Sequence, residues 1–186
     1  MAEQVKSAGW APPRPARPEE LIVVPKAASQ TGVRLLVLPN PAAVQRILTD
    51  YFGWDSWSCR RYACGGVLYC GIGVRLGADA EWIYRDAPAL DDYGPLSKPA
   101  AAAASSLYHA AAMWGVCADI KALPPITLTA EQVRVAAVPK ADGKTIDHWR
   151  LDQALKVDQL GRDDAGAITM VQFAADDGKK IVWRAT

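Results

Sequence analysis

Residues 67–76 read Val-Leu-Tyr-Cys-Gly-Ile-Gly-Val-Arg-Leu, and every second side chain from Leu68 to Leu76 is apolar. A period of two is that of a β-strand, so Leu68, Cys70, Ile72, Val74 and Leu76 share one face. Such a face has to be covered by another element. The opposite face carries Val67, Tyr69, Gly71, Gly73 and Arg75. Two glycines at alternate positions strip side chains from it, which lets the strand bend or lets something approach its backbone closely. Curvature over a covering helix and a groove for a nucleic-acid backbone or base both fit this pattern, and the first would create the second.

The flanking sequence supplies the rest of a sheet and its cover. Residues 57–63 alternate Trp57, Cys59 and Arg61 against Ser58, Arg60 and Tyr62, and Gly65-Gly66 is a hairpin signal. After Gly77-Ala78-Asp79, residues 81–85 form a third strand in which Trp82 and Tyr84 alternate with Ile83. A loop rich in Asp, Pro and Gly leads to a helix over 98–114, whose alanines combine high helix propensity with close approach to a sheet. Upstream, Asn40 and Pro41 are an N-cap and first-turn pair. Val44, Ile47, Leu48 and Tyr51-Phe52 follow at helical spacing and Gly53 supplies a stop, which gives a helix over 41–52. The expected fold class is α+β: a β-β-β-α core, with a curved antiparallel sheet covered by a long helix, plus an N-terminal helix and a C-terminal β-hairpin extension.

Three regions follow. Residues 1–33 read as a flexible Pro-rich N-terminal arm, because four prolines between Trp10 and Pro18 block helix; Leu21–Val24 is an edge-strand candidate. Residues 34–126 carry the core. Residues 127–186 read as a strand-rich extension of the same domain, ambiguous over 147–160 and ending in a hairpin around Asp176-Asp177-Gly178. Lys179, Lys180 and Arg184 make a small basic patch there. A net charge of +1 leaves room for a local basic face. With no apolar run of membrane-spanning length and no signal-peptide pattern, the expected location is cytoplasmic.

Catalytic chemistry finds little to work with. The four cysteines include no C-x-x-C pair, which argues against zinc, and Cys59, Cys70 and Cys117 read as small buried hydrophobes. There is no P-loop, and Gly71-Ile72-Gly73 lies inside a strand, not at a dinucleotide-binding turn. Asp147-His148 lacks a nucleophile motif, so packing is its expected role. Asp86, Asp91 and Asp92 could hold a divalent ion for a nuclease, although loop aspartates usually cap and turn.

The order VLPNPAAVQRILTDYFG-x-x-SW, GGVLYCGIGVRL, AEWIYRDAPALDD and SSLYHAAAMWGV, over roughly residues 34–126, resembles the Rad-fifty-two-type single-strand annealing proteins, above all their phage and bacterial relatives. The resemblance implies a non-catalytic DNA-binding protein of recombination and repair. It would bind single-stranded DNA and anneal complementary strands as a homo-oligomer, generally a ring, with no nucleotide or metal cofactor. A recombination or single-strand-binding protein is a further partner it allows. The chain departs from the family where Tyr108-His109 replaces a Lys-Arg pair, where Lys98-Pro99-Ala100 replaces a Lys-Gly stretch, and where Ala43 replaces an arginine. Because Lys and Arg contacts to phosphate supply most non-specific affinity, weaker DNA binding or another binding face is expected. The candidate DNA-binding residues are Arg60, Arg61, Tyr69, Arg75, Tyr84, Arg85 and Lys98, as a basic groove with stacking platforms, joined by Tyr108 and His109 as stacking or hydrogen-bonding groups. The alternatives are a divergent oligomer of the same fold that acts through a protein partner, and the metal-dependent nuclease.

Overall fold

The apolar runs near the N-terminus pair with one another: Leu21–Ser29 (β1) and Gly32–Pro39 (β2) form an antiparallel hairpin, which Ile126–Thr129 (β6) extends along β2. The structure is a computed structural model and describes residues 11–77, 79–90 and 96–185. It is a mixed α+β fold of antiparallel sheets with three α-helices among the described residues. At Gly32 (φ +153°) a Cβ would lie 2.2 Å from the Leu128 carbonyl oxygen, so glycine is what lets β2 and β6 close.

The hairpin begins inside the stretch expected to be an arm, and residues 11–17 before it lie against the body. Arg14 donates to both oxygens of the 4%-exposed Glu20 carboxylate, at 2.8 and 2.9 Å, and Arg46 reaches it at 3.4 Å. Tyr51 Oη donates to the Ala11 carbonyl at 2.6 Å, and Ala16 is buried. The Arg14 hydrogen bonds outweigh burial and, with the Arg17 N–H, hold the Glu20 carboxyl at about 2. Proline keeps this segment out of a helix, as expected, but the ion pair and the buried alanine fix it in place.

Pro41–Phe52 (α1) starts where Asn40 Oδ1 accepts the Ala42 N–H at 2.9 Å, and it buries Val44, Ile47 and Leu48. Trp57–Cys64 (β3), Val67–Val74 (β4) and Ile83–Pro88 (β5) make a second antiparallel sheet with β4 central. Lys98–Ala112 (α2) packs on β4 and β5, and Trp114 Nε1 donates to the Ile72 carbonyl at 3.0 Å. Cys70, Ile72, Val74 and Ala87 are buried on that side. A short helix, Ala118–Ala122 (α3), leads to β6.

The ambiguous C-terminal stretch is two strands. Ile146–Leu151 (β8) pairs with Val135–Pro139 (β7), and Leu155–Arg162 (β9) pairs with Ile168–Ala175 (β10), which also pairs with Lys180–Arg184 (β11). Val157, Val171, Phe173 and Ile181 of these strands are buried in the same apolar cluster as Leu35, Ile47 and Leu107. Among the described residues, no helix is long and apolar enough to cross a membrane.

Candidate nucleic-acid interface

Strand register sets out the face of the β3–β4–β5 sheet that α2 leaves uncovered. Across it run three rows: Tyr62–Tyr69–Pro88, Arg60–Gly71–Asp86 and Ser58–Gly73–Tyr84. The two glycines of the central strand are roofed by side chains from its neighbours. Arg60 reaches over Gly71 to Asp86 at 3.1 Å, and a Cβ on Gly71 would lie 2.2 Å from Asp86 Oδ1. Tyr84 reaches back over Gly73 to Ser58 Oγ at 3.1 Å, and a Cβ on Gly73 would lie 2.6 Å from its ring. The open groove expected above these glycines is therefore filled by the chain's own side chains.

What replaces the groove is a row of rings and guanidinium groups. Tyr69 and Tyr62 stack with centroids 5.5 Å apart and planes 11° apart. The Arg60 guanidinium lies 5.9 Å from the Tyr62 ring centre and 4.0 Å from that of Tyr84. Tyr84 and Trp82 are 6.4 Å apart, and Arg75 closes the row 5.2 Å from the Trp82 ring. Tyr62, Trp82 and Tyr84 remain 41%, 38% and 36% exposed. Cation–π contacts hold the rings and guanidinium groups in mutual order. Arg75 also lines a cleft of about 410 Å³ with Tyr51, Phe52, Ser56 and Leu76. Its Nε is buried and has no hydrogen-bond partner among the described residues.

Arg60, Tyr69, Arg75 and Tyr84 thus come together, and Tyr62 and Trp82 join them. Tyr62 and Trp82 were legible as alternation partners of Arg60 and Tyr84, but only cross-strand register shows that all six form one row. The other expected residues lie elsewhere. Arg85 is on the α2 side, where it donates to the Met113 carbonyl at 2.6 Å and lies 4.6 Å from the Trp114 ring centre. It closes the C-terminal end of α2, a place where a cation meets unsatisfied carbonyls. Arg61 is exposed on that same side of the edge strand β3, and Lys98 is exposed in the first turn of α2. Tyr108 and His109 are 1% and 6% exposed. Alanines let α2 sink so far into the fold that these two side chains belong to the core and cannot reach a surface ligand.

Other candidates resolve similarly. Asp86 is engaged by Arg60, while Asp91 and Asp92 lie outside the described residues; among those described, no three His, Cys, Asp or Glu groups come together to hold a metal. His148 Nδ1 meets Asp147 Oδ2 at 2.9 Å as an exposed pair, not as packing. Lys180 pairs with Asp158 at 2.9 Å, and Lys179 donates to the Gln132 carbonyl at 2.9 Å, so both lysines serve local contacts. Cys70 and Cys117 are buried, but Cys59 is exposed. Comparison with protein-family models, curated proteins and solved structures finds no match.

Proposed function

We propose that the chain binds single-stranded DNA by stacking bases on the uncovered face of the β3–β4–β5 sheet, and that it anneals complementary strands without nucleotide hydrolysis. The observation that carries this reading is the partly exposed row Tyr69–Tyr62–Arg60–Tyr84–Trp82–Arg75. Flat aromatic faces are sequence-tolerant platforms for unpaired bases, and a paired base inside a duplex has no free face to offer them. The order helix, three strands, helix over residues 41–112 fits the annealing-type β-β-β-α core to which the sequence is similar. In this reading α2 is the family's covering helix. Its buried Tyr108 and His109 have replaced a basic surface, and binding has moved to the opposite face of the sheet. Bound bases would lie on the rings with their pairing edges turned outward, and no covalent step is needed.

A second reading rests on a separate observation. Leu76, Ile83 and Met113 are exposed around a cleft of about 360 Å³ that Phe52 and Trp114 also line. Aromatic and apolar groups beside arginine are also the composition of a protein-binding hot spot. Fluorescence anisotropy of a labelled oligo-dT, followed by an annealing assay with complementary oligonucleotides, separates the two. Binding that Tyr84→Ala weakens and Leu76→Ser leaves unchanged supports the stacking reading. A folded protein that ignores single strands even at low salt overturns it and leaves the protein-partner reading.

A further inference from the structure

The reverse side of the same hairpin brings two sulfurs together. Cys59 and Cys70 both point to the α2 side of the sheet, as diagonal neighbours in a register that pairs Cys59 with Ile72 and Arg61 with Cys70. Their Sγ atoms are 3.3 Å apart. The two thiols differ in surroundings: Cys59 is exposed on the edge strand, and Cys70 is fully buried beneath α2. A hydrogen bond from the Cys70 thiol and the charge of Arg61 favour the Cys59 thiolate against burial, and hold its thiol at about 6. The Cys70 thiol is pushed up by that hydrogen bond, by burial and by the Cys59 charge. The pair thus favours the thiolate on Cys59, the exposed member. Thiolate character and access are what make a cysteine reactive.

We infer that Cys59 and Cys70 form a peroxide-reactive dithiol site, in which a hydroperoxide oxidises Cys59 and Cys70 converts the product to an intramolecular disulfide. In the first step the Cys59 thiolate attacks the terminal peroxide oxygen and the O–O bond breaks. The sulfur becomes a sulfenic acid, and the alkoxide released takes a proton from water. In the second step the Cys70 sulfur attacks the Cys59 sulfur and the S–O bond breaks. The departing hydroxide leaves as water with the Cys70 proton. The peroxide is reduced by two electrons, and the two sulfurs supply them. Closing a separation of 3.3 Å to a disulfide bond of about 2.05 Å draws the diagonal neighbours of β3 and β4 together. Cys64 is a built-in comparator. It is exposed on the same strand, but alternation turns it to the opposite face, opposite Val67. The site does not depend on nucleic-acid binding, since no member of the aromatic row is on the α2 side.

Trypsin provides the test, because cleavage after Arg46, Arg60, Arg61 and Arg75 puts Cys59 in peptide 47–60 and both Cys64 and Cys70 in peptide 62–75. The native full-length protein is treated with stoichiometric hydrogen peroxide, quenched with an alkylating agent and digested without reductant. The expected product is peptide 47–60 joined to 62–75, 2 Da lighter than the two free peptides together, and formed equally in Cys64→Ser. Neither form alters the buried core, so the result does not hinge on a destabilised variant. Cys70→Ser should instead accumulate a Cys59 sulfenic acid that a cyclic 1,3-diketone traps. Alkylation of Cys59 in the untreated protein should persist below the pH range of an ordinary thiol. Absence of the cross-link while Cys64 is oxidised, or a cross-link lost in Cys64→Ser, overturns the inference.

Discussion

Gly73 decides where Tyr84 can lie. A methyl group there would meet the Tyr84 ring at 2.6 Å and Ser58 Oγ at 3.0 Å. Both atoms end movable side chains on an exposed face, so Gly73→Ala should displace the ring at a stability cost within about 1 kcal/mol. In urea titrations Gly73→Ala and Tyr84→Ala should then both resemble wild type. In oligo-dT titrations both should lose the equivalent of one base stack, about 1–3 kcal/mol, or roughly 5- to 150-fold in Kd. Arg85→Ala is the opposite case. Losing its bond to the Met113 carbonyl and its place over Trp114 should cost about 1–2 kcal/mol of stability and leave oligo-dT affinity unchanged. Sequence alone separates the two sides of this sheet, because strand alternation puts Arg60 and Arg61 on opposite faces. It does not show that Arg60 and Tyr84, from strands on either side of β4, fold inward over its glycines. That depends on cross-strand register, which no local pattern carries. Tyr108 and His109 were misplaced for a related reason: alanine spacing marks a helix that packs closely, but not how much of its circumference is buried.

The N-terminal segment shows the same limit at the scale of an element. Prolines keep residues 11–17 out of a helix, and the fourth, Pro18, opens a single 3-10 turn over Pro18–Glu20. Composition says nothing of a carboxylate six residues away that captures Arg14. Glu20 is nearly buried, and its carboxyl is held at about 2 against an ordinary 4.5. A carboxyl lowered by folding stabilises the fold fully above its unfolded value. The contribution is therefore complete above about pH 4.5 and is lost as pH falls from there towards 2. Glu20→Gln should cost about 2–3 kcal/mol at pH 7, because it leaves Arg14 facing a neutral amide. Near pH 2, where the native carboxyl also becomes neutral, the difference between the two proteins should shrink; urea unfolding at both pH values measures this. By contrast α1 was legible almost to the residue, because Asn40, Pro41 and Gly53 are local signals and local signals set helix ends. Residues 147–160 were not, because β8 and β9 belong to different sheets and their partners are distant in sequence.

At the scale of the whole molecule, charge decides how this chain could hold a strand. Its net charge is +1, and the cations of the aromatic row are Arg60, engaged by Asp86, and Arg75. Arg61, Arg85 and Lys98 lie off that face, and α2 buries Tyr108 and His109. With about two phosphates neutralised on one protomer, log Kobs should fall with log salt at a slope near −1.4 for single strands. Affinity for an oligo-dT short enough to occupy one protomer should therefore drop only about 25-fold between 50 and 500 mM salt, whereas six phosphate contacts would cost about 10⁴-fold. Stacking has no comparable salt term, so Tyr84→Ala should shift the whole salt series down without changing its slope, and Arg75→Ala should flatten it. A slope steeper than −4 would place the binding surface on a basic face outside the aromatic row. Light scattering on the same samples bears on annealing itself. A large oligomer would set many such weak platforms side by side, and many weak platforms holding one long strand can bind it firmly while each base remains free to leave and pair.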